Sequence, residues 1–225
     1  LVEARERLLL LIDQLAAEGI VLEHIDLGGG VGIVYQDESV PNLKAYADAV
    51  AQMLASRNLK LVLEPGRSLI GNAGTLLTQV EFVKQGEEKN FVIVDAAMND
   101  LMRPALYQAY HRIENTEPCE TAAFTADIVG PICETGDFLG KNRTLSCCPG
   151  DILAVFSAGA YGASMASNYN TRNRAAEVMV NAREAKLLRT QERRNGDISS
   201  GHEFSVRLHA NPAAKTVCNQ RLVRF

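Results

Sequence analysis

Apolar positions recur at two different periods along this chain, and each change of period marks a change of element. Over residues 1–18, Leu8, Leu11, Ile12 and Leu15 share one helical face, Glu3, Glu6 and Arg7 lie elsewhere on the wheel, and Gly19 is a natural stop. Ile20 to Leu27 reads as a strand and runs into Gly28, Gly29, Gly30, Val31 and Gly32, a loop whose amides can wrap a phosphate. The spacing of Leu43, Tyr46, Ala47, Val50, Ala51 and Leu54 predicts a second amphipathic helix, opened by Pro41. It leads to a short apolar run, Leu59 to Leu63, dense enough for a strand covered on both faces. That strand ends abruptly in Glu64, Pro65, Gly66 and Arg67. The amides of Gly66 and Arg67 and the Arg67 guanidinium are placed to meet an anion, with the Glu64 carboxylate at the mouth of the strand. Two strand-to-loop anion signals separated by one helix are what the last two βα units of a (β/α)8 barrel present.

Beyond Gly71-Asn72-Ala73-Gly74 the period shortens to two. Leu76, Thr78, Val80 and Phe82 alternate, residues 86–89 form a turn, and Phe91 to Val94 supplies a strand partner. Further strands are expected at Thr121 to Val129, at Asp151 to Ser157 and at Ala175 to Val180. The fold class expected is therefore an α/β barrel fragment followed by an antiparallel β-sandwich-like domain. In residue terms these are 1–71, the end of a barrel; 72–190, a β domain; and 191–225, a basic tail without a pattern.

Composition changes this picture little. With 225 residues, 47% hydrophobic and 22% charged, the chain can bury a core. No apolar run approaches a membrane span of roughly 20 residues, and residues 1–12 carry Glu3, Arg5, Glu6 and Arg7 rather than a signal pattern, so a cytoplasmic location is the expectation. Residues 181–225 hold 9 Lys/Arg against 4 Asp/Glu, a charge of +5, within a chain of net charge -4. With no aromatic interleaving and no recognised module, that tail does not signal nucleic-acid binding. The cysteines, Cys119, Cys133, Cys147, Cys148 and Cys218, are odd in number and lack CxxC or Cys/His spacing, so neither a disulfide framework nor a metal site is expected. His24, His111, His202 and His209 show no triad or metal spacing either.

The stretches HIDLGGGVGI at 24–33, LEPGRS at 63–68, VDAAMNDLMRPALY at 94–107, VGPICETGDFL at 129–139, PGD at 149–151, GAYGASMASNYN at 159–170 and AAEVMV at 175–180 resemble, in order and spacing, the diaminopimelate decarboxylase family. The resemblance implies a pyridoxal 5'-phosphate (PLP) enzyme with an alanine-racemase-like barrel and a C-terminal β domain. It implies that Gly29, Gly30, Gly66 and Arg67 hold the cofactor phosphate and that Glu64 keeps the pyridine nitrogen protonated. Arg67, Arg103 and Tyr107 would take the distal carboxylate of meso-diaminopimelate, Glu134 its distal ammonium, and Tyr161 both cofactor and substrate. Cys133 would return a proton to the carbon that has lost carbon dioxide, entering with Glu134 from the second subunit of a homodimer.

The family's cofactor-bearing lysine and the upstream barrel strands have no counterpart in the sequence, since Lys44, Lys60, Lys84, Lys89, Lys141, Lys186 and Lys215 all stand outside matching motifs. The chain is thus expected to be the C-terminal part of an enzyme. NAREAKLLRTQER still resembles the family's last strand, whereas Asn195 to Phe225 does not. The rival readings are a decarboxylase of ornithine, arginine or carboxynorspermidine, and a non-catalytic homologue that dimerises with a true enzyme.

Overall fold

A computed structural model of the chain describes residues 2–55, 57–192 and 221–224. It divides into two compact units, one formed by residues 1–34 and 38–68, the other by residues 35–37 and 69–225.

The first unit runs α1 (Val2–Ala17), β1 (His24–Asp26), α2 (Leu43–Leu54), β2 (Lys60–Val62) and the start of α3 (Gly66–Ile70). β1 and β2 pair in parallel with Ile25 opposite Leu61, as a strand-helix-strand crossover requires. α2 begins two residues later than Pro41 suggests, because the Asn42 side chain accepts the Ala45 N–H at 2.9 Å and caps the helix. The small core joins Ile12, Ile25 and Met53, with Leu8, Leu9, Leu27, Leu54 and Leu59 packed round it. Arg57 clamps Asp13 of α1 through both carboxylate oxygens, at 2.8 and 3.0 Å. Two expectations need correction. The strand predicted over Ile20 to Leu27 shortens to His24–Asp26, with Val21 exposed. β2 is exposed on both faces instead of covered, since among the described residues it pairs with β1 alone.

The second unit is a mixed sheet of β3 (Gly74–Lys84), β4 (Phe91–Val94), β5 (Ile113–Asn115), β6 (Phe124–Val129), β7 (Phe138–Leu145), β8 (Ile152–Val155), β9 (Glu177–Asn181), β10 (Glu184–Arg189) and β11 (Arg221–Arg224), with the short helix α4 (Arg103–Tyr107) between β4 and β5. Most pairs are antiparallel. β4 and β6 pair in parallel, the connection between them being long enough to cross over. β11 enters between β9 and β3, parallel to the latter, so this part of the tail has a place in the sheet that its composition did not signal. His202, His209, Lys215 and Cys218 lie outside the described residues.

Besides its parallel pairing with β11 at Gly74 to Leu76, β3 is shared between two antiparallel partners. Its first half, Leu76 to Gln79, lies against β8, and its second half, Val80 to Lys84, against β4. A register shift between Val80 and Phe82 bends the strand there. The shift also reverses the alternation, which leaves Phe82 65% exposed and draws Val83 toward the core. The main core is built from Val80, Val92, Val94, Ile128, Leu139, Leu153 and Val155 among others, all essentially inaccessible.

Candidate active site

In the first unit, the glycine loop and the EPGR corner meet through the backbone. The Glu64 N–H donates to the Gly28 carbonyl at 2.8 Å, continuing the ladder in which the Leu27 N–H donates to Val62. Gly28 and Gly30 both have left-handed backbones, and Asp26 accepts the Gly28 N–H at 2.7 Å. A Cβ on Gly29 would stand 2.5 Å from the Glu64 carbonyl oxygen, so only glycine lets the two loops close to this distance. Gly29, Gly30, Glu64, Gly66 and Arg67 are therefore brought to the same end of neighbouring strands. The Glu64 side chain is exposed there and Arg67 half-buried. The Gly66 N–H is already donated to the Glu64 carbonyl at 2.8 Å, so it reaches an anion only if that bond opens.

In the second unit, the turn at residues 97–101 is a hub. Asp100 closes it by accepting the Ala97 N–H at 3.1 Å. Buried Asp137 then ties it to the segment carrying Cys133 and Glu134, accepting the Met98 N–H at 2.6 Å with one oxygen and the Ile132 N–H at 2.7 Å with the other. Burial pushes the Asp137 carboxyl upward, and those two N–H donors oppose the shift. Asn99 ties the hub to the segment after Tyr161: its amide donates to the Ser167 carbonyl at 3.2 Å, and its oxygen accepts from Arg172 at 3.0 Å. Cys133 and Glu134 are both exposed at the tip of their loop. Glu134 accepts the Tyr169 hydroxyl at 3.4 Å. The Gly136 N–H, then the Thr135 hydroxyl, hold its carboxyl below the usual range, so it is an anion at neutral pH. Tyr161 is half-exposed on a left-handed backbone with φ 60°.

Arg103 and Tyr107 occupy the two ends of α4 but differ in environment. Tyr107 is 62% exposed, whereas Arg103 is 6% exposed. The helix ends at Gln108, whose left-handed backbone turns the chain back so that His111 meets Arg103. A guanidinium can only donate and a carbonyl can only accept, so the contacts of the imidazole fix its tautomer. Nδ1–H donates to the Phe156 carbonyl at 2.8 Å, and Nε2 accepts from Arg103 Nη1 at 2.9 Å. Burial, reinforced by the Arg103 charge, pulls the His111 pKa down to about 4 against the opposing Phe156 bond. The Tyr35 ring lies under the guanidinium, 4.4 Å from centroid to Cζ, and edge-on to His111 at 5.3 Å. Sequence reasoning singled out neither Tyr35 nor His111. His111 reaches Arg103 through the left-handed turn at Gln108, and no local pattern marks Tyr35.

A family model described as the C-terminal sheet domain of pyridoxal-dependent decarboxylases matches residues 11–159. The chain belongs to that family. Among curated members, a diaminopimelate decarboxylase of Neisseria meningitidis serogroup A is 73% identical over 192 residues, covering 85% of this chain and 47% of the relative. A crystal structure of an Aquifex aeolicus protein superposes with a TM-score of 0.81 at 48% identity, over 85% of this chain and 48% of that one. The structure of diaminopimelate decarboxylase from Helicobacter pylori complexed with L-lysine gives 0.80 at 39%, with the same coverage of 85% and 48%. This decarboxylase-family chain thus spans just under half the length of the relatives it matches.

Proposed function

We propose that the chain is the C-terminal part of a PLP-dependent meso-diaminopimelate decarboxylase that releases L-lysine and carbon dioxide. What carries this reading is the 73% identity with the Neisseria meningitidis enzyme of that name. The residues fit the cofactor: a glycine loop closed against the EPGR corner at Gly29, a carboxylate at Glu64 and a guanidinium at Arg67, all at one strand end. When bound there, the cofactor's pyridine ring supplies an acceptor for the electrons released as carbon dioxide leaves. Gly29, Gly30 and Arg67 would hold the phosphate, joined by Gly66 once its N–H leaves the Glu64 carbonyl, and Glu64 would keep the ring nitrogen protonated. Residues 1–71 are then the end of the barrel, residues 72–190 a β domain of sandwich type, and the enzyme is a cytoplasmic homodimer.

Substrate selection falls to the second unit's side chains, with Arg67. Arg103, Tyr107 and Arg67 take the distal carboxylate, anionic Glu134 takes the distal ammonium, and Tyr161 borders both cofactor and substrate. The exposure of Cys133 and Glu134 at a loop tip suits entry into a partner's site, where the Cys133 thiol returns a proton to the decarboxylated carbon.

The test is a repaired enzyme in which the N-terminal half of the Neisseria meningitidis relative precedes this chain. It should decarboxylate meso-diaminopimelate, with ornithine slower by at least two powers of ten, because ornithine leaves the arginines without an anion at a cost of about 3 to 5 kcal/mol. Cys133→Ala should lower kcat with little effect on that preference. Equal turnover of ornithine would transfer the reading to the ornithine, arginine or carboxynorspermidine class. Absence of turnover in a folded, PLP-loaded dimer would favour the non-catalytic homologue.

A further inference from the structure

Three ligand-bearing side chains, one of them remote in sequence from the other two, converge at one end of the sheet unit. Cys119 lies in the connection between β5 and β6, and Cys148 and Asp151 lie in the turn between β7 and β8. Their sulfur and carboxylate atoms all lie within 4.8 Å of one another, and all three residues are partly buried. We propose that Cys119, Cys148 and Asp151 form a binding site for a soft divalent cation of the zinc class.

The argument starts from preorganisation. The turn carrying two of the ligands is pinned to β3 from both sides: the Gly150 N–H donates to the Val80 carbonyl at 2.7 Å, and the Val80 N–H donates to the Asp151 carbonyl at 2.8 Å. Within it, one Asp151 oxygen accepts the Cys148 N–H at 2.8 Å, which orients the carboxylate and leaves the other oxygen for a ligand bond. The connection carrying Cys119 starts from the same place, since both the N–H and the hydroxyl of Thr116 donate to the Ile152 carbonyl, at 3.0 and 3.1 Å. A hydroxyl stands beside the third ligand, with Thr121 Oγ1 3.1 Å from the Cys119 sulfur. Around a tetrahedral zinc ion with bonds of about 2.3 Å to sulfur, two sulfurs stand about 3.8 Å apart. Closing from a spread of at most 4.8 Å is thus a movement of about 1 Å, within the reach of side-chain rotation.

Charge supplies the second half of the argument. Two thiolates and a carboxylate this close repel one another, and a divalent cation removes that repulsion by occupying the point they share. Two sulfurs and one oxygen select a borderline-soft ion over magnesium or calcium. Entry is provided by an open cavity of about 480 Å³ whose lining includes Cys148, Thr121 and Phe124. The spacing of these residues gave no sign of the site, because the sheet, not a local motif, brings Cys119 to Cys148.

The test uses the whole chain, kept reduced, with cobalt(II) as the optical probe and zinc(II) as competitor. One cobalt per chain should bind with a thiolate-to-metal charge-transfer band, releasing about two protons per ion, and zinc should displace it. Cys119→Ser and Cys148→Ser should each abolish the band. Asp151→Asn, which keeps an acceptor for the Cys148 N–H, should weaken binding roughly tenfold or more, and Cys133→Ser should leave it unchanged. A second measurement needs no variant: saturating zinc should shield Cys119 and Cys148 of the unaltered chain from iodoacetamide while exposed Cys133 still reacts. Unchanged alkylation of Cys119 and Cys148 under zinc, a band that survives in Cys119→Ser, or a fully reduced chain that takes up no cobalt would overturn the proposal.

Discussion

The Arg103 guanidinium sits in the protein interior against an imidazole whose Nε2 accepts a hydrogen bond only while it is unprotonated. Protonating His111 would set two cations 2.9 Å apart with no water to separate them. Folding therefore selects the neutral ring, and the sign of the pH effect follows. Between pH 6.5 and about 4 the unfolded chain binds a proton that the folded chain refuses, so stability falls as pH is lowered through that window. At full effect the loss is on the order of 3 kcal/mol. Urea unfolding at pH 4.5 and 7 should show it. His111→Gln, which can still accept from Arg103 and donate to Phe156, should remove much of the difference, and an equal loss in both proteins would assign the effect to other groups. Because Arg103 is proposed to take the distal carboxylate, His111→Ala, which removes the acceptor for its Nη1, is expected in a repaired enzyme to raise KM for diaminopimelate more than it lowers kcat, whereas His111→Gln should leave KM near its original value. On that proposal His111 would act as a positioning residue for Arg103.

Among the elements, those with a strong period were readable from the residues, and those held by partners were not. α1, α2 and β4 lie where their periods place them, and β3 keeps its predicted alternation as far as Val80, although Leu11 and Leu43 of the predicted helical faces are exposed and Met53 is buried instead. β7, with Lys141, Asn142 and Arg143 in its middle, carries no alternation, and it is a strand because β6 pairs with it. Likewise the EPGR corner and the glycine loop were visible as motifs, whereas the Asp137 clamp on the Cys133 loop depends on a turn remote in sequence. Close backbone contact gives the element-level prediction. A Cβ on Gly159 would lie 1.9 Å from the Ile70 carbonyl oxygen and 2.8 Å from the Gly74 nitrogen, so Gly159→Ala must push the GAYGAS segment off the start of β3. A loss of about 1 to 3 kcal/mol is expected. Gly136→Ala, whose Cβ would meet its nearest neighbour at 3.8 Å, is the near-neutral control. Thermal unfolding that ranks the two alike would show that the contact at Gly159 relaxes freely.

For the whole molecule, the contrast is between a core of three buried residues, Ile12, Ile25 and Met53, and one built across most of a mixed sheet. Local opening should follow that difference. In hydrogen exchange on the isolated chain, the amides of Ile25 and Leu61 are expected to exchange well before those of Val92 and Ile128, with native protection in the sheet unit outlasting that of residues 1–68. Simultaneous exchange would mean that the two units open as one. In the whole enzyme proposed above, neighbouring strands would cover the apolar faces that Leu61, Val62 and Leu63 leave open here, and protection of Leu61 should rise.

The bend in β3 has a consequence for the order of folding. Its first half waits for a distant partner, Leu76 standing opposite Val155, while its second half finds β4 across a short turn. Loop closure grows costlier with the length of chain enclosed, and contacts of large sequence separation form late. During synthesis the hairpin of Val80 to Lys84 with Phe91 to Val94 can therefore form early, whereas Leu76 to Gln79 stays an unpaired edge until β8 has emerged. Over that interval the nascent chain presents an apolar strand to any chaperone or neighbouring chain able to pair with it.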